Sequence, residues 1–305
     1  MQLVFRRLAA IPLVLWVAAT VAFLAIHLLP GDPATQILAR AGASLQAIAQ
    51  RRAQIGWDRP LIEQYIRFLW GLARLDLGES WIVDRPVAQM LAEAALPTLE
   101  LTLAAMSVAI LVGVGLGTLA ASFRGTWVDS AGMIAALLGV STPVAWSSLL
   151  ALMIFSVTLG WLPPTGSGDA LQLILPATVL GLTSAGAIAR LTRAGLLDVL
   201  TEPYITVARS KGLPGWLVLA RHAWPAALPP VLAVMVLQFG FLLGGAAVTE
   251  AVFARQGLGR LVVEAVLSQD LPVVQGIVLS SAAVYSLANL TADAAQWLLD
   301  PRVRE

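Results

Sequence analysis

The sequence predicts an all-α integral membrane protein with six transmembrane helices, and three observations predict it. Of 305 residues, 58% are apolar and 12% charged, where soluble domains run about half apolar and a quarter charged. A water-soluble fold of this size cannot hide so much apolar surface behind so few charges. Six long stretches lack Asp, Glu, Lys and Arg, and crossing a hydrocarbon core of ~30 Å takes about 20 such residues. The basic residues of the short connections fall mostly on one side, as the positive-inside rule requires.

The expected spans are 8–31, 101–123, 130–159, 170–189, 222–249 and 271–292. The third charge-free stretch runs on to residue 168, but Gly160, Pro163, Pro164 and Gly166 are turn chemistry, so its helix should end near Leu159. Arg6 and Arg7 precede an apolar run longer than a signal h-region and without a small-residue cleavage site, so the first helix reads as uncleaved. With both termini cytoplasmic, Arg6, Arg7, Arg124, Arg190, Arg193, Arg209, Lys211, Arg221, Arg302 and Arg304 lie inside. The short outer connections then hold Arg255 and Arg260, while the connection after the first span is too long to count.

The chain therefore divides into a first span (1–29), an extracytoplasmic insert between helices 1 and 2 (30–96), a membrane core (97–300) with a cytoplasmic loop at 190–227, and a short cytoplasmic tail (301–305). In the insert, Pro60 opens a helix, and Leu61, Ile62, Tyr65, Ile66, Leu69 and Trp70 recur at helical spacing. That face can pack on the insert, lie in the membrane interface, or meet a partner. Gly113/Gly117 and Gly240/Gly244 are small-xxx-small pairs that let backbones approach within this chain or at a seam with a second subunit. Pro143, Pro176, Pro225, Pro229 and Pro230 interrupt the middle of the bundle.

Several chemistries are excluded or disfavoured. There is no cysteine, hence no disulfide, zinc-thiolate or iron–sulfur site. The net charge of +1 is too balanced for a nucleic-acid partner; the partner that composition demands is membrane lipid. Lys211, the single lysine, is followed by Gly212 and Leu213 and so forms no P-loop. His27 and His222 fall on opposite sides of the membrane, which disfavours a metal site. No nucleophile motif is present, and the ionisable residues Glu100, Asp293, His27 and Arg190 lie near span ends, leaving no proton relay at the midplane.

The loop between the fourth and fifth spans carries the most information. It reads Ala189-Arg190-Leu191-Thr192-Arg193, then Glu202 through Leu213, then Arg221-His222-Ala223-Trp224 and Ala227-Leu228-Pro229-Pro230. A short helix should start at Glu202 with Pro203 in its first turn and Arg209 and Lys211 in its last, and stop at Gly212. Held between two spans, such a helix can pass a push from a soluble partner to both; a solvated loop is the plainer alternative.

This loop, with its Ala208-Arg209-Ser210-Lys211-Gly212-Leu213 string, resembles the coupling motif of ABC-importer permeases of the dipeptide/oligopeptide/nickel family, in the first of that family's two permease types. The likeness extends to Leu29 through Ala34, Asp76 through Ser80, Leu96 through Leu101, Gly160 through Pro163, Glu250 through Phe253, Gly257 through Leu261, Asp270 through Gly276, Asp293, and Asp300 through Arg304. The chain departs from the pattern at Thr206-Val207, where the family has Arg-Thr, at Pro203, where an acidic residue is common, and near Pro225, where a basic one is.

The resemblance implies a type I ABC importer permease fold in a bacterial inner membrane. It implies a second related permease, two ATPase subunits or domains carrying ATP and Mg, and an extracytoplasmic solute-binding protein, with no cofactor and no catalysis on this chain. It assigns Glu202, Tyr204, Ala208, Arg209, Lys211 and Gly212 to an ATPase-coupling helix. Glu250, Gly257, Gly259 and Arg260 go to the outer gate or the face toward the binding protein. A stand-alone secondary carrier is the alternative, and it predicts inverted repeats and a polar midplane site that the sequence does not display. The absence of a His or acidic cluster from the spans favours peptides over nickel as cargo.

Overall fold

The computed structural model describes residues 2–28, 35, 44–166 and 168–299. The motif strings at 29–34 and 300–304 and the side chain of Asp293 lie outside the described residues. Among the described residues every named element is a helix; the sole β pairing there is an isolated bridge between Glu79 and Pro86.

In chain order, α1 (Gln2–Leu28) is followed by two insert helices, α2 (Leu45–Ile55) and α3 (Leu61–Ala73). The long α4 (Val87–Ser122) leads to α5 (Trp127–Ser141) and α6 (Val144–Ala151), which runs on to Thr158 in wider turns. Then come α7 (Ala170–Leu200), the short α8 (Pro203–Ser210), α9 (Gly215–Val218) and α10 (Trp224–Val252). A small α11 (Leu258–Ser268) and the final α12 (Leu271–Leu299) complete the chain.

Among the described residues, four runs are long and apolar enough to cross a membrane singly: α4, α7, the continuous Gly215–Val252 stretch, and Leu271–Thr291 of α12. The expected third span is instead two helices meeting at 102°. Pro143 caps α6 and lacks the N–H that would continue α5, and Thr142 is extended as the residue before a proline prefers. Within α1, Ala9–Ala25 forms an apolar stretch. Among the described residues, length and composition give four crossings, or five with the bent pair taken as one, and α1 (Gln2–Leu28) is a further 27-residue helix.

Two boundaries differ from hydropathy for one physical reason. The helix α4 starts at Val87, within the segment assigned to the insert, and α7 continues past Arg190 to Leu200. A charge-free stretch measures the lipid-facing length, whereas helices extend into water wherever their backbone bonds hold.

Small residues let α4 and α7 lie in backbone contact. A Cβ on Gly113 would stand 2.7 Å from the Ala185 carbonyl oxygen, and one on Gly117 2.5 Å from that of Ala189. Gly181 answers from α7 against Ala105. These pairs therefore pack within the chain. Gly240 packs on Tyr285 of α12, while Gly244 faces open space.

The apolar core is a stack of clusters threaded by α4: Val87 and Leu91 with Ala265, Val273 and Ile277; Leu101 and Ala105 with Leu180 and Leu242; Ala109 with Ile188 and Val231; and Ala121 with Leu196, Ile205 and Val218. A wider turn at Leu219–Ala223 directly precedes Pro225, whose ring would otherwise press on the Arg221 carbonyl.

Candidate functional site

The sequence-selected residues collect at the two ends of the helix stack. At one end, α10 finishes at Val252, the chain turns through Ala254 at φ 52, and Gly257 caps α11. A helix start leaves its first N–H groups without partners, and α11 finds them in two side chains. Thr98 Oγ1 accepts the Leu258 N–H at 2.7 Å. Glu250 Oε2 accepts from the Gly259 N–H at 2.8 Å and the Arg260 N–H at 3.2 Å. Thr98 in turn donates its hydroxyl to Glu250 Oε1 at 2.6 Å.

The carboxylate is fully buried, so the helix amides and the hydroxyl are what make its charge tolerable there. Both glycines are needed for the approach. A Cβ at Gly257 would run into the Glu250 carboxylate, and one at Gly259 into the backbone of Ala247. Glu250, Gly257, Gly259 and Arg260 thus form one node. The Arg260 side chain points away from it, donating to Glu264 at 2.6 Å and to the Ala254 carbonyl at 3.2 Å. The turn also buries Arg255, whose Nη2 lies 3.6 Å from Glu100.

A second buried carboxylate ties the insert to the same end. Asp270, just before α12, accepts from the Ser80 hydroxyl and from the Trp81 N–H at 3.0 Å. Ser80 Oγ accepts the Ile82 and Val83 N–H groups at 3.2 and 3.0 Å, closing the loop around it. Two strings of the sequence, at 76–80 and 270–276, therefore meet in space.

At the opposite end, α8 forms as its punctuation predicts. Glu202 is the N-cap, Pro203 the first helical residue, Lys211 the C-cap, and Gly212 takes the left-handed φ of 77 that ends the helix. One side of α8 is an anchor: Ile205 and Ala208 are buried against Ala121, Leu196, Val218, Ala223 and Ala227 from the ends of α4 and α7, from α9, from the wider turn after it and from α10. The other side, with Tyr204, Val207, Arg209 and Lys211, is exposed. Ala208 therefore holds the helix in place rather than facing outward. The Tyr204 hydroxyl reaches the His222 carbonyl at 3.5 Å, the limit of a hydrogen bond.

Beside α8 lies a fork that sequence reading missed. Arg193 on α7 donates from Nε to Asp129 Oδ1 at 2.6 Å and from Nη2 to Oδ2 at 2.7 Å. The Gly125 N–H adds a bond to Asp129 Oδ2 at 3.0 Å. This bidentate pair fastens the start of α5 to α7 one turn before the Leu196 anchor. Its signal was an Asp in the first turn of an otherwise apolar helix, which asks for a cation in reach.

Comparison with known proteins gives this geometry its context. The profile of the N-terminal part of binding-protein-dependent transport system membrane components matches residues 1–80. The profile described as "Binding-protein-dependent transport system inner membrane component" matches residues 113–305. A Brucella abortus protein assigned to a peptide transport system as its permease is 43% identical, covering 99% of this chain and 98% of its own. The glutathione transport system permease protein of Salmonella paratyphi A is 42% identical with the same coverage. Among solved structures, an inward-facing MetNI methionine ABC transporter superposes with a TM-score of 0.61 at 20% identity, over 70% of this chain and 97% of that one, a likeness of fold. The chain belongs to the binding-protein-dependent transport system inner membrane components, the permease subunits of ABC importers.

Proposed function

We propose that this chain forms half of the translocation pathway of an importer for small peptides. It would pair with a second, related permease, with two ATPase subunits or domains, and with an extracytoplasmic solute-binding protein. ATP and Mg belong to the ATPase partners in this reading, and the bacterial inner membrane is the setting, with both termini cytoplasmic. Relatives named for peptide and glutathione transport support the cargo class, since glutathione is itself a small peptide.

The observation that carries the reading is the division of α8 into a buried anchor and an exposed face. A force on Tyr204, Val207, Arg209 or Lys211 passes through Ile205 and Ala208 into the ends of α4, α7 and α10 at once. The ATPase partner thereby moves several spans through one contact, the kind of rigid-body rocking that alternates access. At the far end, the Glu250 node holds α11 against α10 and α4. Releasing it frees the outer closure.

The test is a reconstituted complex with its binding protein loaded with a dipeptide. Changing Val207→Asp together with Lys211→Glu should abolish peptide-stimulated ATP hydrolysis and leave the assembled permease folded. Full stimulation in the double variant would remove α8 from the coupling role.

A further inference from the structure

The insert helix α3 has three sides with three chemistries. One packs on α1: Tyr65 Oη lies 2.7 Å from Thr20 Oγ1, Gln64 Oε1 lies 3.1 Å from His27 Nε2, and Phe68 stacks on Phe23 at 5.7 Å. A second carries Glu63 and Arg67, with Arg59 just ahead of the helix and Arg74 just after it. The third is apolar and uncovered: Ile62, Ile66 and Trp70, spaced i, i+4, i+8, are 67, 60 and 61% exposed.

On α1 the residues that hold α3 are Thr20, Phe23 and His27. The neighbouring stripe Val17, Val21, Leu24 and Leu28 is exposed and apolar, and on a helix read as a span such a stripe faces hydrocarbon. The bare face of α3 therefore sits beside a lipid-facing stripe, at the last two turns of the span, where the leaflet meets water. Arg74 lies over the Trp70 ring at 4.7 Å, a pairing that leaves the edge of the guanidinium free for anions. Trp57, stacked on His27 at 4.6 Å, adds a second indole against this end of α1. Tryptophan at an apolar–polar boundary and arginine on the water side are the composition of a helix lying in the plane of an interface.

We propose that α3 is an interfacial helix. It seats Ile62, Ile66 and Trp70 in the phospholipid leaflet on the insert's side of the membrane and brings Arg74 to the headgroup phosphates. The insert is then moored to lipid as well as to α1, and its height above the bilayer is fixed on two sides.

The absence of cysteine makes the test direct, because one introduced thiol carries one spin label. Labels at Ile62→Cys, Ile66→Cys, Trp70→Cys and Arg67→Cys are placed in the full chain, assembled in its complex in phospholipid nanodiscs. Collision with oxygen, which partitions into lipid, is compared with collision with a water-soluble nickel chelate. The three apolar-face labels should show a severalfold higher oxygen-to-chelate ratio than the label at 67. In nanodiscs containing anionic lipid, adding Arg74→Gln should lower the ratio at position 66. A water-like ratio at 62, 66 and 70 overturns the proposal. So does shielding from both reagents, which would mark a protein partner on that face. An unchanged ratio after Arg74→Gln overturns the headgroup contact. None of these readings depends on transport or ATP hydrolysis.

Discussion

The two ends of the helix stack are held by opposite kinds of force. At the Glu250 end, one buried carboxylate and one hydroxyl satisfy three successive amides of α11. Hydrogen bonds are directional and lost within a fraction of an ångström, so this closure is made or broken as a unit. At the α8 end the anchor is Ile205 and Ala208 among three alanines, a leucine and a valine. Apolar packing has no preferred direction, so this contact can shift slightly under load and stay joined. One end is held by bonds that are made or broken together, the other by packing that tolerates small shifts.

The strongest way to break that contrast is Glu250→Ala. It leaves the Gly259 and Arg260 amides without their acceptor and should cost about 4 kcal/mol of stability, read as a lower thermal unfolding midpoint in detergent. A loss as small as that of a surface substitution would contradict that closure. At the other end, Ile205→Ala should cost about 3 kcal/mol by opening a cavity under α8. Because packing is shared among neighbours, Ile205→Leu should recover most of it, and no recovery would point to a directional contact there too.

The fork at Asp129 sharpens the comparison, since it places directional bonds near the apolar end. Asp129→Asn should cost about 2 kcal/mol, below the full value for a buried pair because Arg193 retains some access to water. If α5 moves with α7 during transport, the same variant should also slow peptide-stimulated ATP hydrolysis in the reconstituted complex. The smallest effect belongs to Tyr204→Phe. Its bond to the His222 carbonyl is at the distance limit, so stability should change by less than about 0.5 kcal/mol, and a larger drop would mean the hydroxyl helps fix α8.

The two ends were also unequally legible in the sequence. Pro203 and Gly212 delimit α8 because each dictates a local backbone geometry, and that geometry appeared as read. The node at the other end is long-range: Thr98 and Glu250 are 152 residues apart, and no local rule pairs them. Glu250, Gly257, Gly259 and Arg260 entered through family likeness, and only the fold explains why two glycines are required beside that carboxylate. Hydropathy located the apolar stretches but not the start of α4 at Val87 or the right-angle break at Pro143. The first is a helix outrunning its lipid. The second is a proline whose power to turn the chain rather than bend it slightly is decided by tertiary packing.

The glycine contacts between α4 and α7 have a mechanical consequence. With Gly113, Gly117 and Gly181 leaving no space for a methyl group, the two helices behave as a single beam that cannot splay. Along α4 the beam runs from Thr98, beneath the carboxylate, to Ala121, beside α8, about 35 Å at 1.5 Å per residue. At its margins lie three joints: the Thr142–Pro143 elbow, the widened turn ahead of Pro225, and the α10–α11 corner. Stiffening any of these joints should arrest the machine while leaving the beam intact.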